Sequence, residues 1–120
     1  LRGGRMEDMS HAALSMLFVD AMHRAFPSVV TRSIVVNFSE TFTKDLLKGK
    51  KLSQIKKPAD IARFLDGTNV ADNGDIRSCV YFMVLSTVGS ASTTVSTCNG
   101  LYEKFNYPKN SNYGFFEAFK

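Results

Sequence analysis

The chain has 120 residues, enough for one domain and too few for two ordinary ones. Hydrophobic residues make up 44% and charged residues 22%, which excludes intrinsic disorder, a collagen-like repeat and a disulfide-dense scaffold. Fifteen Lys+Arg against eleven Asp+Glu give a net charge of +4, moderately basic and well short of a histone-like tail.

Ten Phe and five Met with no Trp predict a core of Phe, Met, Val and Leu. Residues 1–6 read as an N-terminal arm or a tag remnant. No apolar leader follows Leu1-Arg2-Gly3-Gly4-Arg5, so no signal peptide is seen and an intracellular location is expected. On that reading Cys79 and Cys98 are expected as free buried thiols, although one pair permits one disulfide.

Residues 8–26 carry the clearest helical pattern. Leu14, Leu17, Phe18, Ala21, Met22 and Ala25 recur at three- and four-residue steps and predict one apolar face. Asp8 or Ser10 suits the start, and Pro27 disfavours helical geometry at Phe26. Residues 29–38 are rich in β-branched side chains and read as a strand buried on both faces. A short helix over 41–48 is expected to stop at Gly49, and another over 58–66 to start at Pro58 and stop at Gly67. Residues 68–75 have loop composition.

Residues 78–102 contain no charge, but Ser, Thr and Gly interrupt the apolar run too often for a membrane span. Residues 77–88 therefore read as a buried central strand, with a buried helix as the alternative. Strands over 93–98 and 101–105 around Asn99-Gly100 give the strongest hairpin signal, since that dipeptide suits a type I′ turn. The expected fold is a single α+β domain over 7–105. An N-terminal helix packs on a small, mainly antiparallel sheet, with short helices between strands and a C-terminal hairpin. An aromatic tail, 106–120, follows.

The most distinct candidate site is a lysine cluster. Lys44, Lys48, Lys50, Lys51, Lys56 and Lys57, opposed only by Asp45, place a net +5 within fourteen residues. Lysines on a loop and a helix end contact successive phosphates and release counterions, which points to RNA or single-stranded DNA, with Arg63 as an addition. A solvated loop carries the same composition. The second candidate is the tail, where Tyr107, Tyr113, Phe115, Phe116 and Phe119 alternate with polar residues. Packing on the chain's own domain is the leading expectation there, ahead of an intermolecular arm and of base stacking. The two functional readings are thus a nucleic-acid-binding module and a protein-interaction or assembly domain using the tail and the Met-rich first helix.

Catalysis has little support. Glu7, His11 and Ser15 align at four-residue steps, but one straight helix does not converge three side chains on a reacting carbonyl. Asp20 and His23 are expected as a surface pair. No metal-ligand spacing and no cofactor motif is seen, and Asp66, Asp72 and Asp75 read as a solvated acidic loop. Asn37-Phe38-Ser39 matches a glycosylation pattern but has no leader to support it. The motifs point to no known family.

Overall fold

The computed structural model describes residues 7–87, 92–110 and 113–115. Among them, β-pairing is confined to two isolated bridges, Asp8 with Phe64 and Ala62 with Val70, and helices of several kinds make up the rest of the regular structure. The expected α+β fold with an antiparallel sheet is corrected to a helical fold.

The first helix forms where its periodicity places it. The Asp8 side chain accepts the His11 backbone N–H and opens a 3-10 turn, Met9–His11, that runs into α1, Ala12–Ala25. Phe26, ahead of Pro27, leaves helical geometry. The buried face differs from the expected one. Met9, Ala12, Met16, Val19 and Asp20 are buried, whereas Leu14 and Phe18 are exposed. The helix is apolar on more than one side, and spacing alone does not say which side the chain covers. Asp20 accepts from Arg24 Nε at 3.0 Å and not from His23, whose Nδ1 donates to the Val30 carbonyl at 2.7 Å.

Residues 29–38 do not form a strand. After a turn at Pro27, helix α2, Arg32–Glu40, continues into a π-helical turn, Thr41–Leu46. Val35, Ser39, Phe42 and Leu46 are buried at steps of four, three and four, which is helical spacing. Ser39 obscures that pattern in the sequence, yet in the core its Oγ lies 3.3 Å from Thr94 Oγ1. Burial along this stripe overrides the β preference of Ile34, Val35 and Val36, since strand propensity is mostly a matter of packing context. The π turn is set by the Leu47 N–H, which donates to the Phe42 carbonyl at 2.9 Å. Gly49 stops the helix as expected, with φ of 68°.

The expected helix over 58–66 reduces to a 3-10 turn, Pro58–Asp60, after which Ile61 is extended. This stretch is held by backbone bonds to distant parts of the chain. The Ala62 N–H donates to the Leu46 carbonyl at 2.8 Å and the Leu65 N–H to the Glu7 carbonyl at 3.0 Å.

Asp72 and Asp75 exchange side-chain bonds with each other's backbone N–H and start α3, Asn73–Arg77. It leads into a 3-10 segment, Ser78–Thr87. Ser78, Cys79, Val80, Phe82, Met83, Val84 and Leu85 are all buried, so the expectation of a central buried run holds while its strand conformation is corrected. Helices α1, α2, α3 and α4, Ser92–Lys104, all pack on this segment. Phe42 stacks on Phe82 with ring centroids 5.4 Å apart. Surrounded by helices, its backbone has no neighbouring strand among the described residues and bonds within itself.

Helix α4 replaces the expected hairpin. Thr94, Val95, Cys98, Leu101 and Tyr102 are buried along one helical face, and Asn99-Gly100 lies mid-helix. Glycine there costs about 1 kcal/mol against alanine. A Cβ at Gly100 would collide with Leu52 Cδ2, so close packing explains the glycine. No helix among the described residues is long and apolar enough to cross a membrane.

Cys79 and Cys98 form a disulfide with Cα atoms 5.8 Å apart, which corrects the expectation of free thiols. It joins the buried segment to α4 across a sequence separation of 19. Closing a loop of that length stabilises the folded chain by about 3 kcal/mol in the chain-entropy account. Cys79→Ala with Cys98→Ala is expected to lose about that amount in urea unfolding. Reduction of the wild type should lower its midpoint similarly, and an unchanged midpoint would contradict the role assigned to the bond.

Candidate nucleic-acid interface

The lysine segment follows α2 as an irregular loop whose shape is set by three anchors. Ile55 is fully buried and holds the middle of the loop in the core. The Asp60 carboxylate accepts the Lys56 and Lys57 backbone N–H groups at 2.8 and 3.1 Å. These bonds hold Asp60 below its ordinary value of 3.8, so it remains a carboxylate at neutral pH. Lys50 Nζ donates to the Asp60 carbonyl at 3.0 Å and ties the two ends of the loop together.

Around these anchors Lys48, Lys51, Lys56 and Lys57 are exposed and Lys50 is half-buried. Lys44 is committed elsewhere. Its ammonium donates to Glu40 at 2.8 Å, which raises its pKa above the ordinary range. Arg63 faces the acidic side of the molecule, with Nε 3.8 Å from Asp75 and its guanidinium 5.9 Å from the Phe64 ring centre. Lys44 and Arg63 are thus drawn toward carboxylates, and Lys48, Lys51, Lys56 and Lys57 form the open cationic surface, with Lys50 half-buried against the Asp60 carbonyl.

The structure adds a lysine that sequence reasoning did not place in this cluster. Lys104, at the end of α4, donates from Nζ to the Leu52 carbonyl at 2.9 Å. Gly100 lets α4 approach closely enough for Leu52 to pack on it. Lys104 and Leu52 lie 52 positions apart, so only the fold reveals the contact.

The aromatic tail packs inward over its described part. Tyr113 is buried, 4.6 Å from the Tyr102 ring centre, and its hydroxyl donates to Asn99 Oδ1. Tyr107 donates to Asn73 Oδ1 at 2.7 Å and meets Tyr102 edge-on. Phe115 is exposed, and Phe116 and Phe119 lie outside the described residues. Burial pushes the Tyr102 phenol up to about 12, and its hydroxyl donates to the Arg77 carbonyl at 2.6 Å.

The remaining candidates separate. Ser15 Oγ donates to Glu7 Oε2 at 2.9 Å, but His11 turns to Asp8, with Nδ1 2.8 Å from Oδ1. No relay joins the three. Asp66 accepts from Thr68, while Asp72 and Asp75 cap α3. Among the described residues, no group of three or more His, Cys, Asp and Glu side chains is placed to hold a metal. The chain matches no known family, no curated protein and no solved structure.

Two outcomes test the tail packing. Tyr113→Ala should cost about 3–5 kcal/mol in urea unfolding, as for other large buried rings; a loss below about 1 kcal/mol would leave the ring without a core role. Folded Tyr102 holds its proton more tightly than the unfolded chain, whose value is about 10.0. Its contribution is therefore full below pH 10 and declines as pH rises toward 12. Tyr102→Phe should flatten the alkaline limb of a stability-versus-pH curve; an identical limb would place the alkaline loss elsewhere.

Proposed function

We propose that this domain is a non-enzymatic nucleic-acid-binding module that grips the phosphate backbone of RNA or single-stranded DNA. The observation that carries this reading is the arrival of Lys104 from α4 beside a loop already presenting Lys48, Lys50, Lys51, Lys56 and Lys57. Cations from two distant parts of the chain meet on a loop whose shape is held by Ile55 and Asp60. Such a surface neutralises several phosphates at once and gains affinity by releasing their counterions. It reads backbone charge and not base sequence, since ammonium groups on phosphates carry no sequence information.

The described tail tyrosines serve packing, so base stacking is left to no described aromatic of the tail except Phe115. The disulfide adds a condition of place. Such bonds persist in oxidising compartments, so the module works where thiols stay oxidised and not in a reducing cytosol.

Fluorescence anisotropy with a labelled single-stranded oligonucleotide tests the reading. Affinity should fall steeply with salt, with a slope near −0.7 for each phosphate neutralised. Lys104→Met should make that slope shallower by about one such step. Replacing Lys48, Lys51, Lys56 and Lys57 together by Glu should remove binding while leaving the circular dichroism spectrum unchanged. A wild-type chain that gives no signal at low salt ends the proposal.

A further inference from the structure

Helix α3, the buried segment, α4 and the start of the tail meet around a polar pocket of about 230 Å³. Gly74, Arg77, Ser78, Tyr81, Tyr102 and Asn110 line it. Its volume is that of about seven water molecules at about 30 Å³ each, and it lies below the about 300 Å³ at which drug-sized ligands are held. It therefore suits a small ligand. Arg77 Nε reaches only the Asn73 carbonyl, at 3.4 Å, and its guanidinium lies 5.6 Å from the Tyr107 ring centre. Lys109, the neighbour of Asn110, places its ammonium 5.0 Å from the Tyr113 ring centre. Tyr107 and Tyr113 both pack on Tyr102, with ring centres 5.6 and 4.6 Å away, so one aromatic cluster holds both cations. Cations resting on aromatic faces are positioned without being neutralised.

We infer that this pocket is a binding site for a phosphate group, either the free ion or one carried on a small ester. Arg24, Lys44 and Arg63 meet carboxylates, whereas Arg77 and Lys109 meet none among the described residues. Two unneutralised positive charges match the charge of about −1.5 to −2 that a phosphate monoester holds at pH 7. The guanidinium fork donates two parallel bonds to such an oxyanion. Asn110 adds a neutral donor. Its Oδ1 accepts the Tyr113 backbone N–H at 3.1 Å, which fixes the amide and leaves Nδ2 to donate.

The pocket also offers acceptors. Ser78 Oγ donates to the Gly74 carbonyl at 3.1 Å and the Tyr102 hydroxyl to the Arg77 carbonyl at 2.6 Å. Each hydroxyl proton is thus committed, and each oxygen keeps lone pairs that accept from a hydroxyl on the phosphate or on its carrier. No carboxylate is among the described lining residues. Asp72, whose charge reaches Tyr107, is held by the Asp75 backbone N–H at 2.9 Å. A carboxylate ligand would match one cation and leave the second unmatched, and a cationic ligand would meet Arg77.

Isothermal titration calorimetry of the full chain in a phosphate-free buffer tests the inference. Inorganic phosphate should bind at a single site with a Kd of about 1 mM or tighter. Arg77→Gln should weaken binding by about tenfold to a hundredfold, through loss of the charge-assisted fork. Lys109→Met should weaken it by about threefold. Lys109 is exposed, so that variant should unfold at the wild-type temperature and separates lost binding from lost packing. Lys51→Glu, on the lysine loop, should leave the affinity for phosphate unchanged. Tighter binding of glycerol 3-phosphate than of inorganic phosphate assigns the site to an ester, and equal or weaker binding assigns it to the free ion. Absence of saturable heat up to about 10 mM phosphate overturns the inference. So does acetate that binds as tightly as phosphate, or binding that is lost in Lys51→Glu and kept in Arg77→Gln.

Discussion

Everything else in the fold is arranged around the need to bury one uncharged segment. From Ser78 to Leu85 nearly every side chain is removed from water, and four helices share the task of covering it. A backbone buried this deeply must bond its own N–H and C=O groups. With no strand beside it among the described residues, the segment does so by local 3-10 turns. Packing then propagates outward. Phe42 stacks on Phe82, which pulls the α2 stripe inward, and the Cys79–Cys98 bond fastens the segment to α4. Each large apolar side chain so buried contributes about 1.5–3 kcal/mol. Local preferences for strand or hairpin are worth about 1 kcal/mol or less.

The same packing sorts the surface into regions of different chemistry. Once α1 turns Met9, Met16 and Val19 toward the buried segment, Leu14 and Phe18 are left outside beside α2. Once α4 docks through Gly100 against Leu52, Lys104 is delivered to the lysine loop. Asp60 shapes that loop through its carboxylate, which accepts two backbone N–H groups, and its carbonyl, which accepts the Lys50 ammonium, and so an acidic residue orders a cationic surface. Asp75 draws Arg63 to the opposite task, pairing inside the acidic stretch that follows. The exposed apolar side chains and the open lysines are thus separate consequences of one core.

The sequence by itself determined the first helix and a cap at Asp8 or Ser10, the stop at Gly49, the burial of the uncharged run and the concentration of positive charge over 44–57. These follow from local chemistry: a cap residue, a residue free to take positive φ, a stretch with nothing to offer water, a charge count. Tertiary structure decided the rest. It made helices of 32–40 and 92–104 because the buried stripe through Val35, Ser39, Phe42 and Leu46, and that through Val95, Cys98 and Leu101, gain more from shared burial than β-branched residues or an Asn-Gly pair lose locally. It chose which apolar face of α1 to cover, since two faces were available and only contact with Phe82 and its neighbours distinguishes them. It joined Cys79 to Cys98 and Lys104 to Leu52, because proximity between residues 19 and 52 positions apart is a property of the packed chain and of no local pattern.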